Sequence, residues 1–162
     1  APVVVILAVA AAGYSAFLFG QAEGRDFWQS PLTLPHLLVG ALAAGSASLL
    51  LVARVLGGGP GAPFGLRLVL FGSLASLAVV LLGELVGSHP TRDAARAAQL
   101  LVRGPLAAPF WAGVVAAGIA LPVALLASAS PAAWTAAALL ALAGLWLYED
   151  LWVRAGQAVP LS

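Results

Sequence analysis

The chain has 162 residues, of which 62% are hydrophobic and only 8% are charged. A soluble domain carries about 25% charged residues, so seven basic and six acidic side chains cannot cover a water-facing surface. The absence of cysteine excludes disulfides, thiol catalysis, iron–sulfur ligation and cysteine-bound zinc within this chain. The net charge of +1, without any basic run, gives no sign of nucleic-acid binding.

Five apolar segments are long enough to cross a membrane, since a spanning helix needs about 20 mostly apolar residues. In lipid each must be helical, because an open strand leaves backbone groups unsatisfied. We therefore predict an all-α, polytopic transmembrane helical bundle of about five spans, forming one domain over residues 1–162. We expect it to be part of a longer membrane subunit, because it has no methionine and begins inside an apolar run. The predicted spans are Pro2–Gly20, Thr33–Leu56, Gly65–Ser88, Leu106–Ala127 and Pro131–Val153.

The connecting segments alternate between two sides of the membrane. The first face receives the 21–32 loop, the 89–105 loop and the C-terminal tail; the second face receives the N-terminus, the 57–64 loop and the 128–131 turn. Five of the seven arginines fall on the first face. The positive-inside rule therefore favours the first face as the cytoplasmic one.

The 89–105 loop has the pattern of a short helix lying on the membrane surface. Its apolar residues alternate with Arg92, Arg96 and Arg103, and the first two are spaced to share a helical face. One interpretation is an anchor that sets orientation. The other is a docking surface for a cytoplasmic or peripheral subunit.

Aromatic residues lie near the ends of the predicted spans, where they are expected to anchor helices at the level of the lipid headgroups. Near the first face these residues are Phe27, Trp28, Phe110, Trp111, Trp146, Tyr148 and Trp152. Inside the spans, small residues such as Gly45 and Gly118 predict close approach of helices. Pro122 predicts a kink in the fourth span.

Glu84 is the strongest candidate for chemistry, because it lies about one turn inside the third predicted span. It is either a proton relay or one half of a structural ion pair, for example with Arg92. His36 and His89 sit at span ends near the first face and could line a quinone pocket or ligate a haem. Tyr14 is a further buried polar candidate.

No nucleophile–base arrangement, metal-ligand spacing or phosphate loop is present, so no catalytic or metal residue is assigned and an enzyme complete within this chain is not expected. The order of the remaining features resembles the C-terminal half of the NrfD/PsrC family of polysulfide-reductase-type membrane subunits. The resemblance rests on GYSAFLFGQAEGRDFWQSPLTLPHLLVGALAAG at 13–45, AAQLLVRGPLAAPFWAGVVAAGIALPVALL at 97–126, LWLYEDLWVR at 145–154 and AGQAVPLS at 155–162.

This resemblance implies a membrane anchor of a multi-subunit oxidoreductase in the cytoplasmic membrane of a prokaryote. Such subunits exchange electrons between quinone and an iron–sulfur partner, which is paired with a catalytic subunit that often contains molybdopterin. Quinone binds non-covalently, mainly in the family's N-terminal bundle, so no quinone site is transferred onto residues of this chain. The hypothesis that Glu84 couples quinone chemistry to proton transfer rests on its position in the span and not on the resemblance. A small-solute transporter or ion channel, and a haem b anchor, remain the alternatives.

Overall fold

The structure is a computed structural model that describes residues 2–57, 61–87 and 89–159. Within these ranges the chain is helical and contains no strand, and five of its six helices are long and apolar enough to cross a membrane. The predicted all-α bundle of five spans is therefore confirmed. The helices are α1 Pro2–Gly20, α2 Thr33–Leu56, α3 Ala62–Val86, α4 Arg92–Val102, α5 Ala107–Ala127 and α6 Pro131–Ala158.

α1 and α2 have the predicted ends, and α5 begins one residue later than predicted, at Ala107. α3 begins three residues before the predicted Gly65 and ends at Val86. α6 runs beyond the predicted end at Val153 to Ala158. The additional turn begins with Arg154, which pairs at 2.9 Å with Asp150 one helical turn earlier. At the other end of the bundle α2 stops at Gly57, whose φ of 70° requires the left-handed conformation that glycine adopts readily.

α2 and α6 are the centre of the bundle. α2 packs against α1, α3 and α6, whereas α5 packs mainly on α6. The buried stripe of α3 consists of residues three and four apart, namely Leu70, Leu74, Leu77 and Leu81. Residues at this spacing lie on one helical face. Glu84 continues the same stripe, which is why a carboxylate faces the interior at the end of this span.

α5 and α6 cross at a contact between two glycines. A Cβ atom added to Gly118 would lie 2.6 Å from the Cα of Gly144, and one added to Gly144 would clash with the Cα of Gly118. The backbones therefore touch, as the small residues of the fourth predicted span indicated.

The middle of α5 is a π-helix over Phe110–Ala120, which ends just before Pro122. π-helical turns are uncommon and are often found where a helix is locally rearranged. Pro122, where the sequence predicts a kink, lies in the first turn of the α-helical part that follows the π-helical part.

Contacts between distant segments confirm the predicted alternation of the loops. On the first face, Arg25 donates from one guanidinium nitrogen to the carbonyl oxygens of Gly156, Gln157 and Val159 at 2.9, 3.0 and 2.9 Å. On the second face, the guanidinium of Arg67 lies 4.8 Å from the ring centre of Trp134. Both pairs join segments that the alternation places on the same side.

The aromatic residues near the first face differ in burial, and Trp28 is half-buried. Trp111 and Trp146 are exposed on the bundle surface, as expected of lipid anchors. For four others this prediction is wrong, because they are buried in the bundle: Phe27, Phe110, Tyr148 and Trp152. The indole of Trp152 packs between Phe19 and Trp28, at 5.0 and 6.0 Å between ring centres. Rings therefore fill the interior where α1, the 21–32 loop and α6 meet.

α4 is the predicted amphipathic helix. The hydroxyl of Thr91 caps it by accepting a hydrogen bond from the backbone N–H of Ala94. Its alanines and Leu101 pack inward, while the Arg96 side chain is exposed and pairs with Asp93 at 3.0 Å. A polar face is thereby presented on the first face of the bundle.

Candidate functional site

Four polar side chains meet inside the bundle near the first face, and we call them the polar cluster: His36, Glu84, Tyr148 and Glu149. The Tyr148 hydroxyl donates to Oε2 of Glu84 at 2.8 Å. On the two sides of the His36 ring, Nδ1 lies 3.4 Å from Oε2 of Glu84 and Nε2 lies 3.1 Å from Oε1 of Glu149. One imidazole therefore stands between two carboxylates.

Three helices bring these residues to the same depth. His36 lies in the first turn of α2, and Glu84 lies in the last turn of α3. Tyr148 and Glu149 lie on α6, which crosses both helices. The phenol ring of Tyr148 stacks on the His36 ring at 4.8 Å between centres, which fixes the plane of the imidazole.

The cluster is buried on one side and partly open on the other. The side chains of His36 and Glu84 are each 3% exposed, whereas that of Glu149 is 40% exposed on the flank of the bundle. Buried carboxylates are stable only when paired or hydrogen-bonded. The His36 imidazole and the Tyr148 hydroxyl supply these contacts from neighbouring helices.

The chemistry that this arrangement supports is proton transfer. An imidazole takes up a proton on one ring nitrogen and releases one from the other, and His36 has a carboxylate beside each. The 3.1 Å contact to Glu149 has the length of a hydrogen bond. The 3.4 Å contact to Glu84 is longer, so a small rotation of either side chain is needed to complete the chain.

A cavity of about 80 Å³ lies next to the cluster on the side of the first face. Glu84 lines it from α3, and Asp26, Ser30 and His89 line it from the two loops. Among the described residues, none hydrogen-bonds to Oε1 of Glu84 or to Nε2 of His89, although both atoms are buried. Polar atoms from two segments thus converge on one small space.

The structure brings together some of the predicted site residues. Glu84 and His36 are in the cluster, and His89 is separated from His36 but shares the cavity with Glu84. Tyr14 is 62% exposed on α1 and does not join them. Arg92, offered as one possible structural partner of Glu84, does not pair with it, because the carboxylate contacts Tyr148 and His36 instead.

Sequence reasoning missed Tyr148 and Glu149. Tyr148, near a span end, is expected to be a lipid anchor, and Glu149, within the predicted fifth span, is not among the candidate residues that the sequence indicates. An acidic residue inside a span is a signal in its own right. The register that turns both residues towards His36 depends on how α6 crosses α2, which no local pattern specifies.

The haem alternative receives no support from the cluster. Both ring nitrogens of His36 lie beside carboxylate oxygens, so neither is available to an iron ion without breaking these contacts. No group of three or more potential metal ligands occurs in the part of the chain that the structure describes.

Comparison with known proteins identifies the family. The family model described as "Polysulphide reductase, NrfD" matches residues 1–160. Searches of curated proteins and of solved structures returned no significant match. Members of this family are membrane subunits of quinone-linked oxidoreductase complexes. Because the match covers nearly the whole chain, and the described residues form the expected bundle of membrane-spanning helices, this protein belongs to the NrfD polysulphide reductase family.

Proposed function

We propose that this protein is the quinone-interacting membrane subunit of a multi-subunit oxidoreductase and passes electrons between the quinone pool and a partner iron–sulfur subunit. Its family supports the role in a quinone-linked complex. The observation that carries the residue-level proposal is the polar cluster, in which the buried His36 ring lies between the buried carboxylate of Glu84 and the partly exposed carboxylate of Glu149. Quinone reduction takes up two electrons and two protons, so a subunit that serves quinone needs groups that move protons.

The quinone headgroup is expected mainly on the N-terminal bundle of the family's subunits. In this chain we assign proton transfer to the polar cluster, with Glu84 as the relay and His36 as its partner. Tyr148 orients the Glu84 carboxylate through its hydroxyl. These assignments rest on geometry and burial, since each group touches the next through an oxygen or a ring nitrogen.

The iron–sulfur subunit is proposed to dock on the first face, beside α4. A groove of about 440 Å³ lies between α4 and the end of α6, and Arg96 and Arg103 line it. Arg92 begins α4 on the same side. A positively charged surface of this kind favours a partner with an acidic face. That partner would in turn bind the catalytic, molybdopterin-dependent subunit. We place the whole complex at the cytoplasmic membrane of a prokaryote.

Extraction in mild detergent tests the assignment. The expected result is co-purification of a polypeptide with an iron–sulfur absorbance spectrum, and reduction of that partner's clusters when a quinol analogue is added. The control is the same complex with the quinol analogue omitted. Purification without any redox partner, together with uptake of a solute by the chain in liposomes, would favour the transporter alternative and overturn this proposal.

A further inference from the structure

We propose that the 80 Å³ cavity beside Glu84 is a water-filled chamber that connects the first face with the polar cluster, and that protons reach Glu84 through it. This inference rests on the proposed function, because it supplies the protons that quinone chemistry consumes. It assigns a path and a direction that the cluster alone does not provide.

Two buried atoms beside the cavity indicate that it holds water. Oε1 of Glu84 and Nε2 of His89 are buried and lack a hydrogen-bond partner among the described residues, and both residues line this cavity. A buried polar atom without a partner is unfavourable, so native proteins satisfy nearly all of them with protein groups or ordered water. Water that bridges Glu84 and His89 satisfies both atoms at once.

The size and the polar lining of the cavity also fit bound water. Its 80 Å³ exceeds the space of about 10–15 Å³ that one water needs on the same kind of measure. A stable water also needs two to four polar partners. Four polar side chains line the space, namely Asp26, Ser30, Glu84 and His89.

The direction follows from where these residues lie. Asp26 and Ser30 belong to the 21–32 loop and His89 to the 89–105 loop, so all three belong to the first face. Glu84 lies on the inner side, next to His36. The titratable groups around Glu84 are therefore Asp26 and His89 across the cavity, His36 from α2, and Tyr148 from α6 together with Glu149 beyond His36.

The proton transfer along this path involves no oxidation or reduction. A proton from chamber water binds Oε1 of Glu84, and rotation of the carboxyl group carries it to the side of His36. Nδ1 of His36 accepts this proton while Nε2 releases another to Oε1 of Glu149, and exchange of the ring tautomer resets the imidazole. Each proton transfer breaks one O–H or N–H bond and forms one, and the carboxyl rotation breaks none.

Thiol labelling in the intact complex tests the chamber, since the chain has no native cysteine. The variants Glu84→Cys and Ala94→Cys place a thiol on the cavity wall, and Leu81→Cys places one on the same α3 stripe one turn deeper. We expect a water-soluble methanethiosulfonate to label positions 84 and 94 at least about tenfold faster than position 81. Equal, slow labelling at all three positions would overturn the proposal.

A variant that narrows the cavity provides a second test by thiol labelling. Gly83 lines the cavity, and a Cβ added there lies 3.0 Å from Cδ1 of Leu32, which also lines it. Gly83→Leu should therefore narrow the chamber and slow labelling of Ala94→Cys. Unchanged labelling in the double variant would show that the reagent arrives by another route and would count against the chamber.

Proton uptake by the complex in liposomes completes the test. Asp26→Asn and His89→Gln should each slow proton uptake from the first face by about tenfold or more, in the range of lost acid–base groups. The matched control is Glu23→Gln, an exposed carboxylate in the same loop that does not line the cavity. Equal uptake in all three variants would overturn the path.

The failure of this inference is distinguishable from failure of the proposed function. Slow labelling of Ala94→Cys in a complex with normal quinol oxidation would remove the chamber and leave the oxidoreductase role intact. Rapid labelling in a preparation that lacks quinol activity and a redox partner would retain the chamber and remove the proposed role.

Discussion

The hydroxyl of Tyr148 donates a hydrogen bond of 2.8 Å to Oε2 of Glu84, although 64 positions separate the two residues in the chain. Both side chains are buried, one on α6 and the other on α3. The bond therefore fixes the relative depth of two membrane-spanning helices at the same point where it orients the carboxylate.

Tyr148→Phe should lower the free energy of unfolding by about 1.5–3 kcal/mol, the usual contribution of a hydrogen bond to a charged group. Thermal or detergent-induced unfolding of the purified complex measures this change. Tyr14→Phe is the matched control, because Tyr14 is exposed and no described residue hydrogen-bonds to its hydroxyl. Equal effects of the two variants would mean that the bond to Glu84 contributes little.

His36→Leu should be more damaging than Tyr148→Phe, because it removes the group that lies between two carboxylates. A buried carboxylate that loses its partner costs about 3–5 kcal/mol. In the double variant His36→Leu with Glu84→Gln, the free energy of unfolding should be partly restored, because the unpaired buried charge of Glu84 is then also removed. An additive loss in the double variant would mean that His36 and Glu84 are not coupled across the 3.4 Å contact.

Gly118→Ala should destabilise the bundle, because the new Cβ would lie 2.6 Å from the Cα of Gly144 and the α5 and α6 backbones would have to separate. Overpacking of this kind typically costs about 1–3 kcal/mol. Gly45→Ala serves as the control, since no atom lies within 4 Å of a Cβ built there. Thermal unfolding midpoints of the two variants provide the comparison. A loss of stability confined to Gly45→Ala would be inconsistent with the glycine contact.

Arg25→Gln should loosen the end of α6, because Arg25 donates to three backbone carbonyl oxygens there. Cations near a helix C-terminus also interact favourably with its dipole. Hydrogen exchange followed by mass spectrometry should show faster exchange in the last turn of α6 and unchanged exchange in the centre of α3. Arg54→Gln, at the end of α2 on the second face, should leave the α6 exchange unaltered.

The triple variant Arg92→Glu, Arg96→Glu and Arg103→Glu should reduce co-purification of the iron–sulfur partner if α4 is its docking surface. Charge reversal on an interface mainly slows association, and the loss should diminish as ionic strength rises. Arg54→Glu reverses a charge on the second face and is the control. Full recovery of the partner with the triple variant would assign these arginines to membrane orientation alone.

The sequence predicted the membrane-spanning architecture because that architecture follows from local properties. Runs such as Thr33–Leu56 contain enough apolar residues to cross the hydrocarbon layer, and lipid permits no exposed strand edge. The amphipathic α4 was predictable for the same reason, because its arginines and alanines repeat with helical spacing. The family could also be inferred from the order of short motifs.

The polar cluster depended on tertiary structure. Sequence alone pointed to Glu84 and His36 as unusual, because charged and titratable groups are unfavourable in lipid. It did not specify their partners, since the contact of Glu84 with Tyr148 requires α3 and α6 to meet at one depth and one rotation. Hydropathy determines which segments leave water. Side-chain packing between helices, including the glycine contact of α5 and α6, determines which of their polar groups meet.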